Sequence, residues 1–177
     1  MKKLMSILAL AALLLALTAP ALASDQAMID HLVQVVEAAL VEGEYVYDYD
    51  AEYEAFELEF NLDSSLKSTE VTLFVYDDMV SVSAALPLAV AEEHRDRMAV
   101  FLTLINSQIY YAQLRMDYED GEVTCRSAQL VETVIPGAEE IYVLLEMPVA
   151  YMGIYADGIA RVALGGDPFE AFALFDQ

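Results

Sequence analysis

Histidine, cysteine and acidic side chains are the groups in this sequence that could do chemistry, and their numbers are very unequal. The 177 residues include two His, one Cys and 30 Asp or Glu. Nucleophilic catalysis needs a nucleophile, a base within hydrogen-bond reach and a group that orients the base. His31 falls on the polar side of one predicted helix and His94 in the charged opening turns of another, so we expect both to be solvated. We therefore predict no catalytic residues and a protein that is not an enzyme.

Known motifs for cofactor and metal binding are missing from the sequence. It contains no G-x-S-x-G nucleophile elbow and no glycine-rich phosphate or dinucleotide loop. One Cys and two distant His cannot supply the ligands of a tetrahedral zinc site. We therefore expect no cofactor and no metal-binding residues. Cys125 has no second cysteine with which to pair, and we expect a buried, inert thiol rather than a link between two chains.

The abundant carboxylates leave two alternative functions open. A pair at suitable separation could act as acid and base, as in a glycosidase, although 30 acids on a small domain form close pairs by chance. Asp117 to Glu122 resembles a calcium loop, but Gly121 is its fifth residue and an EF-hand needs glycine at the sixth. A hairpin turn explains the same residues. The alternatives are therefore an acidic cation-binding (calcium) envelope protein and a carboxylate-pair hydrolase.

The most unusual local composition is a group of four tyrosines near the start of the predicted sheet. They are interleaved with acidic residues, and the period of two of a strand places Tyr45, Tyr47 and Tyr49 on one sheet face. A helix over that face would make them core, which we favour. An open face would be an aromatic surface ringed by acids, which is typical of protein interfaces. The candidate partner-binding face comprises Tyr45, Tyr47, Tyr49 and Tyr53.

Composition and charge exclude several classes of partner. Eight Lys or Arg against 30 Asp or Glu give a formal charge of −22, and 58% of the residues are hydrophobic. A chain this apolar folds rather than staying disordered. Nucleic acids and anionic membrane surfaces are bound by clustered basic residues, which this sequence lacks. We therefore expect a protein or peptide partner.

Residues 1–23 have the pattern of a secretory signal peptide. Lys2 and Lys3 precede an apolar run over residues 4–18, and Ala21-Leu22-Ala23 supplies small residues at the cleavage spacing. The run is shorter than the roughly 20 residues that span a bilayer, so we expect no membrane span after cleavage. Residues 24–177 then form one domain of 154 residues, with six basic and 30 acidic side chains and a charge of −24. Its location would be periplasmic or extracellular, in a bacterium.

The spacing of apolar residues changes along the chain between helical and strand-like periods. Steps of three and four from Asp25 onwards predict an amphipathic helix that Asp25 caps and that Gly43 ends in a left-handed conformation. The period then becomes two, which is typical of strands. The predicted hairpins join segments 45–49 and 56–62, 71–75 and 80–86, and 112–118 and 123–128, the last through the turn Glu119-Asp120-Gly121.

Three more helices are predicted. We expect Pro87 to end the sheet run and residues 89–108 to be helical. A stripe from Ile141 to Val162 predicts a long helix, in which Pro148 should cause a kink or separate two helices that meet at Met147. Asp167 and the residues that follow it predict a cap and a short closing helix. The predicted fold is α+β, a curved antiparallel sheet of about six strands with helices packed on it, in the order α-ββββ-α-ββ-α(α).

Several segments of this order resemble the YbjN family. They are Asp77-Asp78 with the strand leading to Leu86-Pro87, the helix from Glu92 to Asn106, the hairpin from Met116 to Val123, and the glycine and short helix from Gly165 to Ala173. The resemblance implies a fold similar to that of type III secretion chaperones, for which a homodimer is an option. The biochemical function of the family is poorly defined. This chain departs from the usual member in its signal peptide and its acidity.

Together these observations predict an exported, non-catalytic module that binds a protein or peptide. The sheet face or an exposed strand edge would make the contact, and the acidic surface would exclude anionic partners.

Overall fold

A central antiparallel sheet organises the chain in the computed structural model, which describes residues 25–131 and 134–175. The predicted signal peptide, residues 1–23, lies outside the described residues. The sheet has six strands in the order β1-β2-β3-β4-β6-β5. The strands are β1 Asp48–Asp50, β2 Ala55–Asn61, β3 Ser68–Val75, β4 Met79–Ala89, β5 Gln113–Met116 and β6 Glu122–Leu130.

Four α-helices and one 3-10 turn complete the described structure. Residues 25–42 form α1, and Glu92–His94 is the 3-10 turn. The other helices are α2 Arg95–Asn106, α3 Ala138–Ala163 and α4 Pro168–Phe172. The predicted α+β class and the order of elements are confirmed, although the second helix is shorter than the predicted span of residues 89–108.

Helices cover one side of the sheet. Alternate strand residues on that side, such as Leu73, Val82 and Cys125, are fully buried against the apolar stripes of the helices. The side chains between them form the other side, here called the open face. Its members on the five longer strands include Glu57, Glu59, Glu70, Thr72, Phe74, Met79, Ser81, Ser83, Ala85, Arg115, Thr124, Arg126, Ala128 and Leu130.

The end of α1 differs from the prediction. Glu44, with φ of 56°, takes the left-handed conformation that was expected of Gly43. The amide of Tyr45 donates to the carbonyl of Leu40 at 2.9 Å, which closes the helix by a six-residue turn. Gly43 has a different role: a Cβ there would lie 2.6 Å from the ring of Tyr45. Glycine at this position therefore makes room for an aromatic ring.

Pro87 does not end the sheet, so that prediction is wrong. Strand β4 continues to Ala89, which pairs with Glu122 after a register shift between Ala85 and Ala89. Proline cannot donate to a strand ladder, and it is tolerated where a bulge interrupts the pairing. The exposed Pro87 lies within that interruption.

Helix α3 runs unbroken through Pro148, so the alternative of two helices meeting at Met147 is wrong. Proline has no amide hydrogen to donate to the carbonyl four residues earlier, that of Leu144. The buried hydroxyl of Ser127 on β6 donates to this carbonyl at 2.6 Å. The sheet thus satisfies the acceptor that Pro148 leaves free. By length and hydropathy α3 could cross a membrane, but its apolar stripe from Ile141 to Val162 is buried in the core.

Replacing Ser127 by Ala should lower the free energy of unfolding by about 1–3 kcal/mol, because the Leu144 carbonyl would remain buried without a donor. The variant Pro148→Ala restores an amide donor inside the helix, so its stabilising effect should be larger in the Ser127→Ala background than in the wild type. Urea unfolding of the wild type, the two single variants and the double variant measures the cost of Ser127→Ala and the effect of Pro148→Ala in each background. Equal effects of Pro148→Ala in the two backgrounds would show that the two positions are not coupled.

The turn between β5 and β6 is held against the end of β4. Gly121 has φ of 84°, as predicted for the Asp-Gly turn. Its carbonyl accepts from the amide of Val90 at 2.8 Å. Arg95 at the start of α2 donates to the carbonyls of Val90, Tyr118 and Glu119. One guanidinium therefore joins the β4 end, the hairpin turn and α2.

We expect Gly121→Ala to lower the free energy of unfolding by more than about 2 kcal/mol, since left-handed backbone and steric overlap both add to the cost. An added Cβ would lie 2.2 Å from the carbonyl oxygen of Val90. Gly153→Ala is the matched control, because the nearest atom to its Cβ, on Leu62, is 3.7 Å away. Within a helix this change should stabilise by about 1 kcal/mol. Similar losses in both variants would contradict the argument.

Candidate functional site

The four tyrosines of the predicted partner-binding face lie where the first strand meets α1 and α3. Tyr45 and Tyr47 are half-buried, while Tyr49 and Tyr53 are 40% and 65% exposed. The rings of Tyr47 and Tyr49 contact Phe56, with centroids 5.4 and 4.8 Å apart. Tyr45 contacts Phe60 and Tyr142. Three of the four rings therefore close the edge of the core, and Tyr53 faces solvent.

Each of these three hydroxyls bonds to a glutamate of the same chain. Tyr45 donates to Glu146 of α3 at 2.7 Å and Tyr47 donates to Glu37 of α1 at 3.2 Å. Tyr49 donates to Glu54. Burial, followed by the bonded carboxylate and its charge, raises the pKa of Tyr45 and of Tyr49 to about 12. Acidic residues in this region thus hold tyrosine hydroxyls in their neutral form.

The free energy of unfolding should fall as the pH rises from 10 to about 12. The folded protein keeps the protons of Tyr45 and Tyr49 in this window, whereas the unfolded chain releases them, so alkaline conditions favour unfolding. Denaturant unfolding at several pH values measures the slope. The double variant Tyr45→Phe with Tyr49→Phe should make it shallower, and an unchanged slope would contradict the assignment.

The histidines and the cysteine do not come together. His31 is exposed on α1, and His94 is half-buried beside Gly165. Cys125 is fully buried in the sheet, and burial raises the pKa of its thiol to about 12. The expected buried thiol is thus confirmed. Within the described residues, no group of three or more His, Cys, Asp or Glu side chains could hold a metal ion.

The acidic loop from Asp117 to Glu122 uses its carboxylates for the turn itself. Asp117 accepts from the amide of Glu119 at 2.7 Å, and Asp120 accepts from the amide of Glu122 at 2.8 Å. The amide of Gly121 donates to the carbonyl of Asp117 at 2.9 Å. These bonds account for the composition of the loop as a hairpin connection.

The outer edge of β5 is closed by a side chain. The amide group of Asn106, at the end of α2, donates to the carbonyl of Leu114 and accepts from its backbone amide, both at 2.9 Å. The backbone amide and carbonyl of Leu114 therefore point away from β6. In an antiparallel ladder this direction alternates, so Gln113 and Arg115 point toward β6. Asn106 therefore occupies the bonding groups that a further strand would need there.

The edge of β6 is free where β5 has ended. β5 pairs with residues 123–126 of β6, yet β6 continues to Leu130. Arg126 faces Gln113 of β5, and the alternation then directs the backbone groups of Ala128 and Leu130 to the same side, beyond the last pair with β5. Residues 127–130, the β6 free edge, thus present backbone donors and acceptors without a neighbouring strand in the described structure.

A mostly apolar groove of about 370 Å³ runs along the β6 free edge. Tyr111 forms one wall, while Val143, Leu144 and Met147 of α3 form the other. Glu139 and Glu140 lie at its acidic end, where Glu140 also accepts from the amide of Gly137 at 2.9 Å. The groove was not predicted from the sequence. The feature that could have indicated it is the pair of adjacent tyrosines before the last hairpin, Tyr110 and Tyr111, which are both exposed.

The comparisons with known proteins add one structural likeness. No family model and no curated protein matches the chain. Among solved structures, the chain is similar to the crystal structure of YbjN from E. coli, with 14% sequence identity and a TM-score of 0.45. The match covers 67% of this chain and 92% of the YbjN chain.

Proposed function

We propose that the protein is an exported, non-catalytic module that binds an extended peptide as an added strand on the β6 free edge. The observation that carries the proposal is the coincidence of unpaired strand backbone with the apolar groove beside it. Strand addition of this kind takes its affinity from main-chain hydrogen bonds and its specificity from pockets for alternate side chains. The export rests on the signal-peptide pattern of residues 1–23.

The chemistry of the groove selects the kind of peptide. Tyr111, Val143 and Met147 offer apolar surface, so alternate side chains of the ligand should be apolar. Glu139 and Glu140 lie at one end of the groove, and the whole chain has a formal charge of −22. A field of this sign attracts basic segments and repels acidic ones. The partner is therefore an extended segment with apolar residues at alternate positions and a net positive charge.

We place the partner at the β6 free edge rather than on the predicted tyrosine face. The hydroxyls of Tyr45, Tyr47 and Tyr49 are already bonded to glutamates of the same chain. Their rings contact Phe56 or Phe60. A partner on that face would have to compete with these contacts, whereas the β6 free edge has no neighbouring strand to displace among residues 25–131 and 134–175. No observation favours the calcium-binding or hydrolase alternatives.

A fluorescent peptide of alternating Lys and Val should bind, and anisotropy at physiological ionic strength measures its affinity. Ala128→Pro should weaken binding at least tenfold, because it removes an amide that would pair with the peptide. The Ala128 amide points away from β4, so this substitution breaks no bond to β4. Val143→Lys should also weaken binding at least tenfold, since it places a charge in the apolar wall.

Two controls separate strand addition from attraction between opposite charges. Ile154→Lys changes the charge of α3 as Val143→Lys does, at a side chain of similar exposure, 54% against 57%, outside the groove. It should alter the affinity less than twofold. The same peptide N-methylated at alternate residues keeps its charge but cannot pair as a strand. Equal binding of both peptides, or equal effects of the two Lys variants, would overturn the proposal.

A further inference from the structure

The open face of the sheet carries opposite charges at its two lateral ends. Strands β2 and β3 present Glu57, Glu59 and Glu70 there, all exposed. At the other end, β5 and β6 present the exposed residues Arg115 and Arg126, and Glu122 is exposed on the same face at the start of β6. Between these ends, β4 contributes only the small side chains of Ser81, Ser83 and Ala85 in this part of the face.

The strand register aligns these groups in rows across the sheet. One row contains Glu59, Glu70, Ala85, Thr124 and Arg115, in that order from β2 to β5. The next row contains Glu57, Thr72, Ser83, Arg126 and Gln113. A third row, near the other end of the strands, is uncharged from β2 to β6 and contains Ala55, Phe74, Ser81 and Ala128.

The two arginines of the open face have no partner within the described chain. Arg95 and Arg97 donate to backbone carbonyls, and Arg161 forms an ion pair with Glu170 at 3.0 Å. Arg115 and Arg126 form neither kind of contact among the described residues, although the chain has 30 acidic residues. Both line a hollow of about 360 Å³ on the open face, which Asp117 and Glu122 also line. A hollow of about 370 Å³ lies over Glu57, Glu59 and Glu70 at the acidic end.

We propose that two copies of this chain form a homodimer by packing their open faces against each other. The two-fold axis would lie in the plane of contact, along β4. Rotation about this line exchanges the lateral ends of the sheet, so the arginines of each copy meet the glutamates of the other. Such an isologous contact uses one self-complementary surface twice.

The side chains on the face match under this rotation. Counting strands outward from β4, Arg115 on β5 lies opposite Glu59 on β2, in the same row. Arg126 on β6 lies opposite β3, where Glu70 is within one row. Arginine and carboxylate form strong, charge-assisted hydrogen bonds. In the uncharged rows, the half-buried Phe74 meets Ala128, and Tyr76 meets Leu130, which are 42% and 64% exposed.

The small residues of β4 and the size of the face both suit this contact. Ser81, Ser83 and Ala85 of the two copies would meet along the axis, which allows the sheets to approach to about 10 Å. Six strands about 4.8 Å apart, with rows about 6.6 Å apart, give a flat area of about 600 Å² per copy. This is near the lower end for specific protein interfaces, so the dimer should be concentration-dependent and sensitive to salt.

Charge reversal tests the proposal by analytical ultracentrifugation at low salt. The double variant Arg115→Glu with Arg126→Glu should dimerise at least tenfold more weakly than the wild type. The same loss is expected for Glu59→Arg with Glu70→Arg. A mixture of the two variants should form a heterodimer, because every reversed arginine then meets a reversed glutamate and the unchanged ends still match.

A matched control excludes attraction between net charges. Glu92→Arg with Glu93→Arg makes the same charge change on the exposed 3-10 turn, away from the open face. Mixed with the arginine-reversed variant, it should give no heterodimer. The proposal is overturned if the wild type stays monomeric at high concentration, if the reversed variants dimerise as it does, or if this control mixture associates equally.

Discussion

The hydrogen bond from the Ser127 hydroxyl to the Leu144 carbonyl ties the longest helix to the sheet. Pro148 leaves this carbonyl without a helical donor, and a buried acceptor of that kind is costly unless it is satisfied. The backbone carbonyl of Ser127 in turn accepts from Ser81 of β4 at 3.3 Å. Two serines therefore link α3, β6 and β4, and they fix how α3 lies along β6. Leu144 and Ser127 also line the apolar groove, so the same bond joins two residues of the proposed peptide site.

The two strands of the last hairpin differ in whether their edges are available for pairing with another strand. Asn106 imitates a neighbouring strand for Leu114, so the outer edge of β5 is closed. The β6 free edge has no such cover in the described structure. Proteins protect exposed strand edges because these edges recruit other chains. The proposed binding of a peptide strand therefore explains why the β6 free edge stays open beside an apolar groove.

The acidic surface is divided among three tasks. Glu37, Glu54 and Glu146 hold tyrosine hydroxyls at the border of the core. Asp117, Asp120 and Asp167 accept backbone amides at a turn and a helix start. The glutamates of the open face have neither role, and they share that face with Arg115 and Arg126, which have no partner among the described side chains. The formal charge of −22 thus combines structural carboxylates with a smaller set that is free to meet another molecule.

Periodicity predicted the fold well because it reports which side chains are buried. The stripe of α3 from Ile141 to Val162, the buried face of α2 and the Gly121 turn are all where the spacing placed them. The failures at Gly43 and Pro87, and the unbroken course of α3 through Pro148, have a related cause: a residue's local preference was outweighed by its surroundings, namely the ring of Tyr45, the interrupted ladder to β6 and the hydroxyl of Ser127. The groove was missed for a related reason. A free edge depends on where the neighbouring strand stops, and β5 and β6 end at different positions although their alternating patterns look alike. Side-chain spacing therefore predicts how the helices and the sheet of this protein are layered. The proposed binding edge consists of backbone groups that stay unpaired because of where the strands end, and side-chain spacing does not report this.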